Sequence, residues 1–238
     1  MRNDKLVKSM MILVVLLLTI AYAQTYPSAP TNITNNTIDT PAQTQGTLFN
    51  ATGGSISNLT INTTNQNYRW KGYVGRVNGI VALTDASSNS LYDWTIETIS
   101  GEVYATRNSS IPDWDNIECA SNSAVINEQE ALNINTTTFD SINRTFNGTT
   151  HNSFYVGISE ISSDSCRAIA LNVNSTRQYS DFQEILLSDG AQLIYAGLIE
   201  NSSYGFDNST YDFQMIVAED AAQGSQTSNA YYFYVELV

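Results

Sequence analysis

Positive charge is scarce in this sequence. Past residue 23 the only lysine is Lys71, and the other cations are Arg69, Arg76, Arg107, Arg144, Arg167 and Arg177. The first twenty-three residues carry Arg2, Lys5 and Lys8 against Asp4, so without them the formal net charge goes from -13 to -15. Such a surface repels a nucleic-acid backbone or an anionic lipid face, and both are set aside as partners. Histidine is nearly absent as well. His151 stands alone in the polar stretch NGTTHN, with no Gly-x-Ser-x-Gly elbow for it to serve as general base. His-Glu-x-x-His, Gly-x-Gly-x-x-Gly, a phosphate loop and a twelve-residue calcium loop are all missing. The expectation is a chain that is not an enzyme and holds no cofactor and no metal.

Carboxylates are the chemistry that remains. Asp113, Asp115 and Glu118 lie around Trp114, and Glu219 and Asp220 adjoin each other. Two carboxylates suffice for a glycosidase, and three hard oxygens begin a Ca²⁺ site. In a chain this acidic, however, such groups read first as solvated loops.

Long apolar runs are limited to one. Residues 10–21 are almost wholly apolar, follow the basic residues named above, and end in Ala21-Tyr22-Ala23, a small-x-small processing signal. Residues 1–23 therefore read as a cleavable signal peptide, cut between Ala23 and Gln24. The run is shorter than the roughly 20 apolar residues of a bilayer span, although a retained tether is the alternative. After cleavage no membrane span is expected, and the chain is placed outside the cell or at its surface.

Only two cysteines are present, Cys119 and Cys166. In an oxidising compartment they predict one disulfide, worth about 4 kcal/mol in the chain-entropy model; two buried thiols are the alternative. Three of the four prolines, Pro27, Pro30 and Pro41, fall in residues 24–46, which lack apolar periodicity and read as an extended linker or stalk.

What the chain has in abundance is Asn, Ser and Thr. With charged residues at 14%, these must supply most of the polar surface. Asn-x-Ser/Thr acceptors occur at Asn32, Asn35, Asn50, Asn58, Asn62, Asn108, Asn135, Asn143, Asn147, Asn174, Asn201 and Asn208. That is about twice what the composition gives by chance, and an exported chain bearing them is expected to be N-glycosylated. Glycan-bearing residues must be exposed, so 108, 143–147 and 201–208 are predicted to be loops or solvent faces. The plainer reading is that Asn and Thr reflect strand and turn composition.

The pattern of short β-branched and aromatic runs between turn residues predicts antiparallel sheets. From Thr47 the segment 47–67 reads as one or two weak strands, with ISNLTI at 56–61 partly alternating. The body begins near Tyr68: WKGYVGRV, LYDWTI and GEVYAT precede PDWDNIECA, a single helical turn, and a short helix over 124–134. Strands resume over 153–159, 167–174, 182–187, 192–200, 211–218 and 231–237, with Ser188-Asp189-Gly190 as a hairpin turn. The fold class is all-β: an antiparallel β-sandwich, jelly-roll or immunoglobulin-like, of about ten strands with one or two short helices. The domain spans 47–238, of which 47–67 is a candidate extending or exchanged strand. In the last strand Tyr231, Phe233, Val235 and Leu237 form one apolar face, predicted to complete the core. Trp70, Trp94 and Trp114, with Tyr73, Tyr92 and Tyr104, are read as buried aromatics, with a sugar-stacking row as the alternative.

WKGYVG at 70–75, GEVYA at 101–105, WDNIEC at 114–119 and the ending YYFYV at 231–235 resemble archaeal secreted cell-surface proteins. Such proteins are β-rich, N-glycosylated, and include surface-layer components and extracellular filament subunits. The resemblance implies a structural subunit that self-associates or binds other surface proteins. A concrete route is donation of the N-terminal strand to the neighbouring subunit. The alternative is a secreted carbohydrate-binding or adhesion module whose partners are glycans.

Overall fold

The computed structural model describes residues 25–35, 37–42, 46, 48, 50, 52–94, 96, 98–220 and 229–238. The expected signal peptide and its cleavage point lie outside them. Among the described residues the fold is all-β, with antiparallel pairing throughout and two short helices.

In chain order the strands are β1 (Trp70–Gly75), β2 (Val81–Thr84), β3 (Ser90–Trp94), β4 (Gly101–Thr106) and β5 (Glu118–Cys119). Then come α1 (Asn122–Ala131), α2 (Ile142–Thr145), β6 (Phe154–Val156), β7 (Ser159–Ile161), β8 (Ala168–Ile169), β9 (Asn172–Val173) and β10 (Thr176–Arg177). The chain closes with β11 (Glu184–Ser188), β12 (Leu193–Leu198), β13 (Ser203–Tyr204), β14 (Thr210–Tyr211), β15 (Phe213–Ala218) and β16 (Tyr232–Leu237). Sixteen strands replace the expected ten or so because several are two-residue ladders. The turn between β9 and β10, for instance, is only Asn174-Ser175, both at positive φ (46° and 62°), the mirror-type turn that matches strand twist.

The main sheet runs β16-β4-β12-β11, and β5 and β8 follow one another along the outer edge of β11. Its β11–β12 hairpin turns where the sequence predicts, with Gly190 at φ 87° and the Asp189 carboxylate accepting from the amides of Ala191 and Gln192. The disulfide between Cys119 and Cys166 is formed, with Cα atoms 4.9 Å apart. Since Cys119 is in β5 and Cys166 just precedes β8, the bridge ties together the two short strands that cover β11.

Both faces of this sheet are buried. Val103, Ala105, Leu186, Leu193 and Tyr195 pack with Met215 and Val217 of β15 and with Val125, Leu132, Ile142 and Phe146 from the helical region. The intervening residues Tyr104, Ile185, Leu187, Ile194 and Ala196 pack the opposite way, against Trp114, Phe154, Val156 and Ile161. Strict period-2 alternation places successive residues on opposite faces, so GEVYAT, EILLS and nearly all of LIYAGL are buried along their whole length. A second, two-stranded ladder of β1 and β15 lies against the first of these faces.

α1 is held by Ser121, whose hydroxyl accepts from the amide of Ala124. Gln129 and Val125 are its buried residues. α2 starts at Ile142, so Asn143 is half-buried on a helix with Oδ1 enclosed, contrary to the loop expected over 143–147. The other eleven sequon asparagines are exposed.

Candidate interface: the sheet edges and the N-terminal segment

The edges of these sheets are unequally protected. β15 pairs with β1 on one side; on the other, the amide of Ile216 donates to Glu184 Oε2 at 3.0 Å. Glu184 reaches across from β11 and is fully buried, with Oε1 unpartnered. Burial pushes its carboxyl well above the ordinary range, against the pull of the Ile216 amide. The Glu184 carboxyl thus closes that edge of β15. Gly72 lies opposite Ile216, so the Gly72 backbone groups point the other way, off the free edge of β1. Among the described residues no strand pairs with that edge.

Beside it lies the inner face of β16. Phe233, Val235 and Leu237 pack on the core but are only half-buried, as the apolar alternation of the last strand leads one to expect. Tyr73 of β1 meets Phe233 edge-on at 5.1 Å, and Gly79 passes close to Leu237, a Cβ there lying 2.5 Å from Leu237 Cδ1. An unpaired strand edge presents open N–H and C=O groups on which another strand can pair.

The outer edge of β16 is occupied by the chain's own start. Ser28 exchanges both backbone hydrogen bonds with Val235, at 3.0 and 2.9 Å. Pro27 is buried, and Tyr26 sits where a Cβ on Gly157 would be. Thr25 donates to the Leu237 carbonyl at 2.7 Å. Two residues past Ser28, Pro30 has no N–H to continue the ladder, which is why pairing stops. The first residues of the proline-bearing linker are therefore bound to the body. Among the described residues from Asn32 to Gln66 the hydrogen bonds are local, such as Asn32 to Thr34 and Thr63 to Asn65, and Ile33, Ile38, Leu48, Ile56, Leu59 and Ile61 are exposed. The chain is anchored again at Asn67, Arg69 and Trp70, all three on Asp140.

Beneath the outer edge lies a buried acidic cluster that the sequence reading did not identify. Glu102 of β4 and Glu236 of β16 are direct cross-strand partners, 4% and 1% exposed. Tyr104 donates to Glu236 Oε2 at 3.0 Å and lies 3.5 Å from Glu102 Oε2. The amide of Gly157, in the β6–β7 turn, donates to both oxygens of Glu236. Burial first, and then the adjacent Glu236, push the Glu102 carboxyl well above the carboxylate range. Burial also raises Glu236, opposed by the Gly157 amide and the Tyr104 hydroxyl. The available signal was the register itself: Glu236 alternates with Tyr234 and Tyr232, a polar face that reads as solvent-facing until β6, β7 and Trp114 are laid on it.

The remaining candidates are dispersed. His151 is buried: its Nε2 accepts from the amide of Cys166 at 3.0 Å and Nδ1 bonds the Asn152 carbonyl at 2.7 Å. Both ring nitrogens hold the fold near the disulfide, leaving none as a general base. Asp113 accepts from Asn116, and no group of three His, Cys, Asp or Glu able to hold a metal occurs among the described residues. The aromatics divide. Trp114, Tyr104 and Tyr234 form a buried triad with ring centroids 5.1 and 5.3 Å apart, as expected of core residues. Tyr92 and Trp94, expected in the core, are 61% and 49% exposed on the β2–β3 hairpin, which pairs with no other strand among the described residues. No helix among the described residues is long and apolar enough to cross a membrane. No protein-family model, curated protein or solved structure matches the chain.

Proposed function

We propose that this chain is a secreted, N-glycosylated, non-catalytic structural subunit of a cell surface or extracellular filament, assembled by strand donation. Its core is an incomplete β-sandwich in which the β1–β15 layer lacks its next strand. The observation that carries the reading is the pairing of an open β1 edge, beside half-covered Phe233, Val235 and Leu237, with an extended segment whose apolar side chains Leu48, Ile56, Leu59 and Ile61 are exposed. In an extended strand Ser57, Leu59, Ile61 and Thr63 share one face, and Asn58, Thr60 and Asn62 the other. Leu59 and Ile61 of one copy enter the groove of the next, while both sequon asparagines remain outside. Backbone pairing with β1 supplies affinity and the two apolar side chains supply register.

The test is electron microscopy with mass determination on native extracellular material and on a chain lacking residues 31–63. Fibres or a lattice from the intact chain and monomers from the deletion support the reading. Monomers from both overturn it. A second reading, a glycan-binding module, rests on exposed Tyr92 and Trp94, whose rings meet at 71° with centroids 5.1 Å apart. Saturable sugar binding lost in Trp94→Ala would favour it.

A further inference from the structure

The β13–β14 hairpin carries a feature that neither the core nor the strand-accepting edge uses. Its turn, residues 205–209, is closed by the amide of Gly205 donating to the Ser209 carbonyl at 2.8 Å and that of Asn208 donating to the Gly205 carbonyl at 3.2 Å. Asn208 adopts φ 67°, a left-handed conformation that Asn tolerates better than other non-glycine residues. Two residues before it stands Phe206, 48% exposed, with its ring 14° from parallel to that of Tyr211 and 6.3 Å away centroid to centroid. The Phe206 ring, backed by Tyr211, forms a ledge on the same short turn as the sequon Asn208-Ser209-Thr210.

This ledge is fixed in place. The Phe206 amide donates to Gln214 Oε1 at 2.9 Å, and its carbonyl accepts from the amide of Ser175. Tyr211 is held by its hydroxyl on Asp207 at 3.1 Å, and its ring fits only because residue 205 has no Cβ. Asp207 is committed to Ser209 and Tyr211, whereas the exposed side-chain amide of Asn208 makes no hydrogen bond among the described residues. The exposed Phe206 ring stands two residues from a sequon amide, and a pyranose attached at that amide can cover it. One face of such a ring presents axial C–H groups, which pack on an aromatic surface while the hydroxyls stay in water.

We infer that Asn208 is glycosylated and that the first sugar of its glycan stacks on the exposed Phe206 ring, making the carbohydrate part of the folded hairpin. This rests on the N-glycosylated part of the function proposed above, and not on strand donation. The chain is expressed with its leader in a host that attaches N-linked glycans, and glycopeptide mass spectrometry reports occupancy at Asn208. Melting temperatures are then compared for the parent, Phe206→Leu, Asn208→Gln and the double variant. The expected result is an occupied Asn208, with Phe206→Leu lowering the melting temperature by about 2–4 °C in the parent and leaving the Asn208→Gln background unchanged. An equal loss in both backgrounds overturns the stacking. A loss that instead disappears with Asn174→Gln, the neighbouring sequon, overturns the assignment to Asn208. An unoccupied Asn208 on the native protein overturns the proposal at its premise, leaving strand donation to its own test.

Discussion

Tyr104→Phe removes one oxygen from the molecule and tests the buried acidic cluster directly. The lost hydroxyl is the donor between Glu236 and Glu102, and nothing in a fully buried position replaces it. A hydrogen bond to an ionised or ionisable partner is worth about 1.5–3 kcal/mol when the partner is left in place. For a domain of this size each kcal/mol moves the melting temperature by about 2–4 °C, so the variant should melt roughly 3–12 °C lower. The rest of the ring stays, with its contact to Trp114, so no cavity is added to that cost. The assay is urea unfolding at neutral pH together with Glu236→Gln and the double variant. An unchanged m-value shows that the loss is one of stability, and a coupling of at least about 0.5 kcal/mol shows that the two side chains act together. A Tyr104→Phe protein within about 0.5 kcal/mol of the parent, or additive behaviour in the cycle, would refute the reasoning.

The pH dependence follows from the same groups. Glu102, Glu184 and Glu236 are all raised in the folded state, chiefly by burial, so the folded state binds more protons than the unfolded one, and stability falls as pH rises. Their contribution is complete below the ordinary carboxylate value of about 4.3 and is lost as pH passes the folded-state values. Asp85 and Asp207 are lowered by hydrogen bonds, first to Asn89 and to the Ser209 amide respectively, but both sit on exposed turns and act weakly in the other direction. Thermal melts at pH 4.5 should therefore lie above those at pH 8, and the reverse order would contradict the burial argument. Replacing both Cys119 and Cys166 by Ala should cost about 4 kcal/mol, read as a melting temperature lower by roughly 8–16 °C. Gly101→Ala forces a Cβ to 2.0 Å from the Glu236 carbonyl at φ 128°, so its cost should exceed the 1–3 kcal/mol or so of backbone strain alone, measured by urea unfolding.

How far the sequence discloses this structure depends on whether a signal is local. Ser188-Asp189-Gly190, α1 and the two cysteines are local or forced by scarcity, and they are found where the residues predict them. The face of a strand is not local. The alternation of 231–237 separates Phe233, Val235 and Leu237 from Tyr234 and Glu236, yet nothing along the chain says that β6, β7 and Trp114 will cover the second set. For the same reason, LYDWTI has the composition of a core strand but forms a hairpin with β2 alone, which leaves Tyr92 and Trp94 outside. His151 looked solvated among Asn, Gly and Thr; its burial depends on the amide of Cys166, fifteen residues away. Ser28 pairs with Val235 across nearly the whole length of the chain, a contact that proline content alone could not reveal.

The Glu184 side chain that closes one edge of β15 also determines how copies could connect. Under strand donation, a subunit with both edges of its small layer open would accept two donors and the product would branch. With one edge closed by its own carboxyl, each copy would have one acceptor and one donor segment under that proposal. The contact is then head-to-tail, and repetition gives an unbranched chain of fixed polarity. A single buried glutamate would thereby set the valence of the assembly.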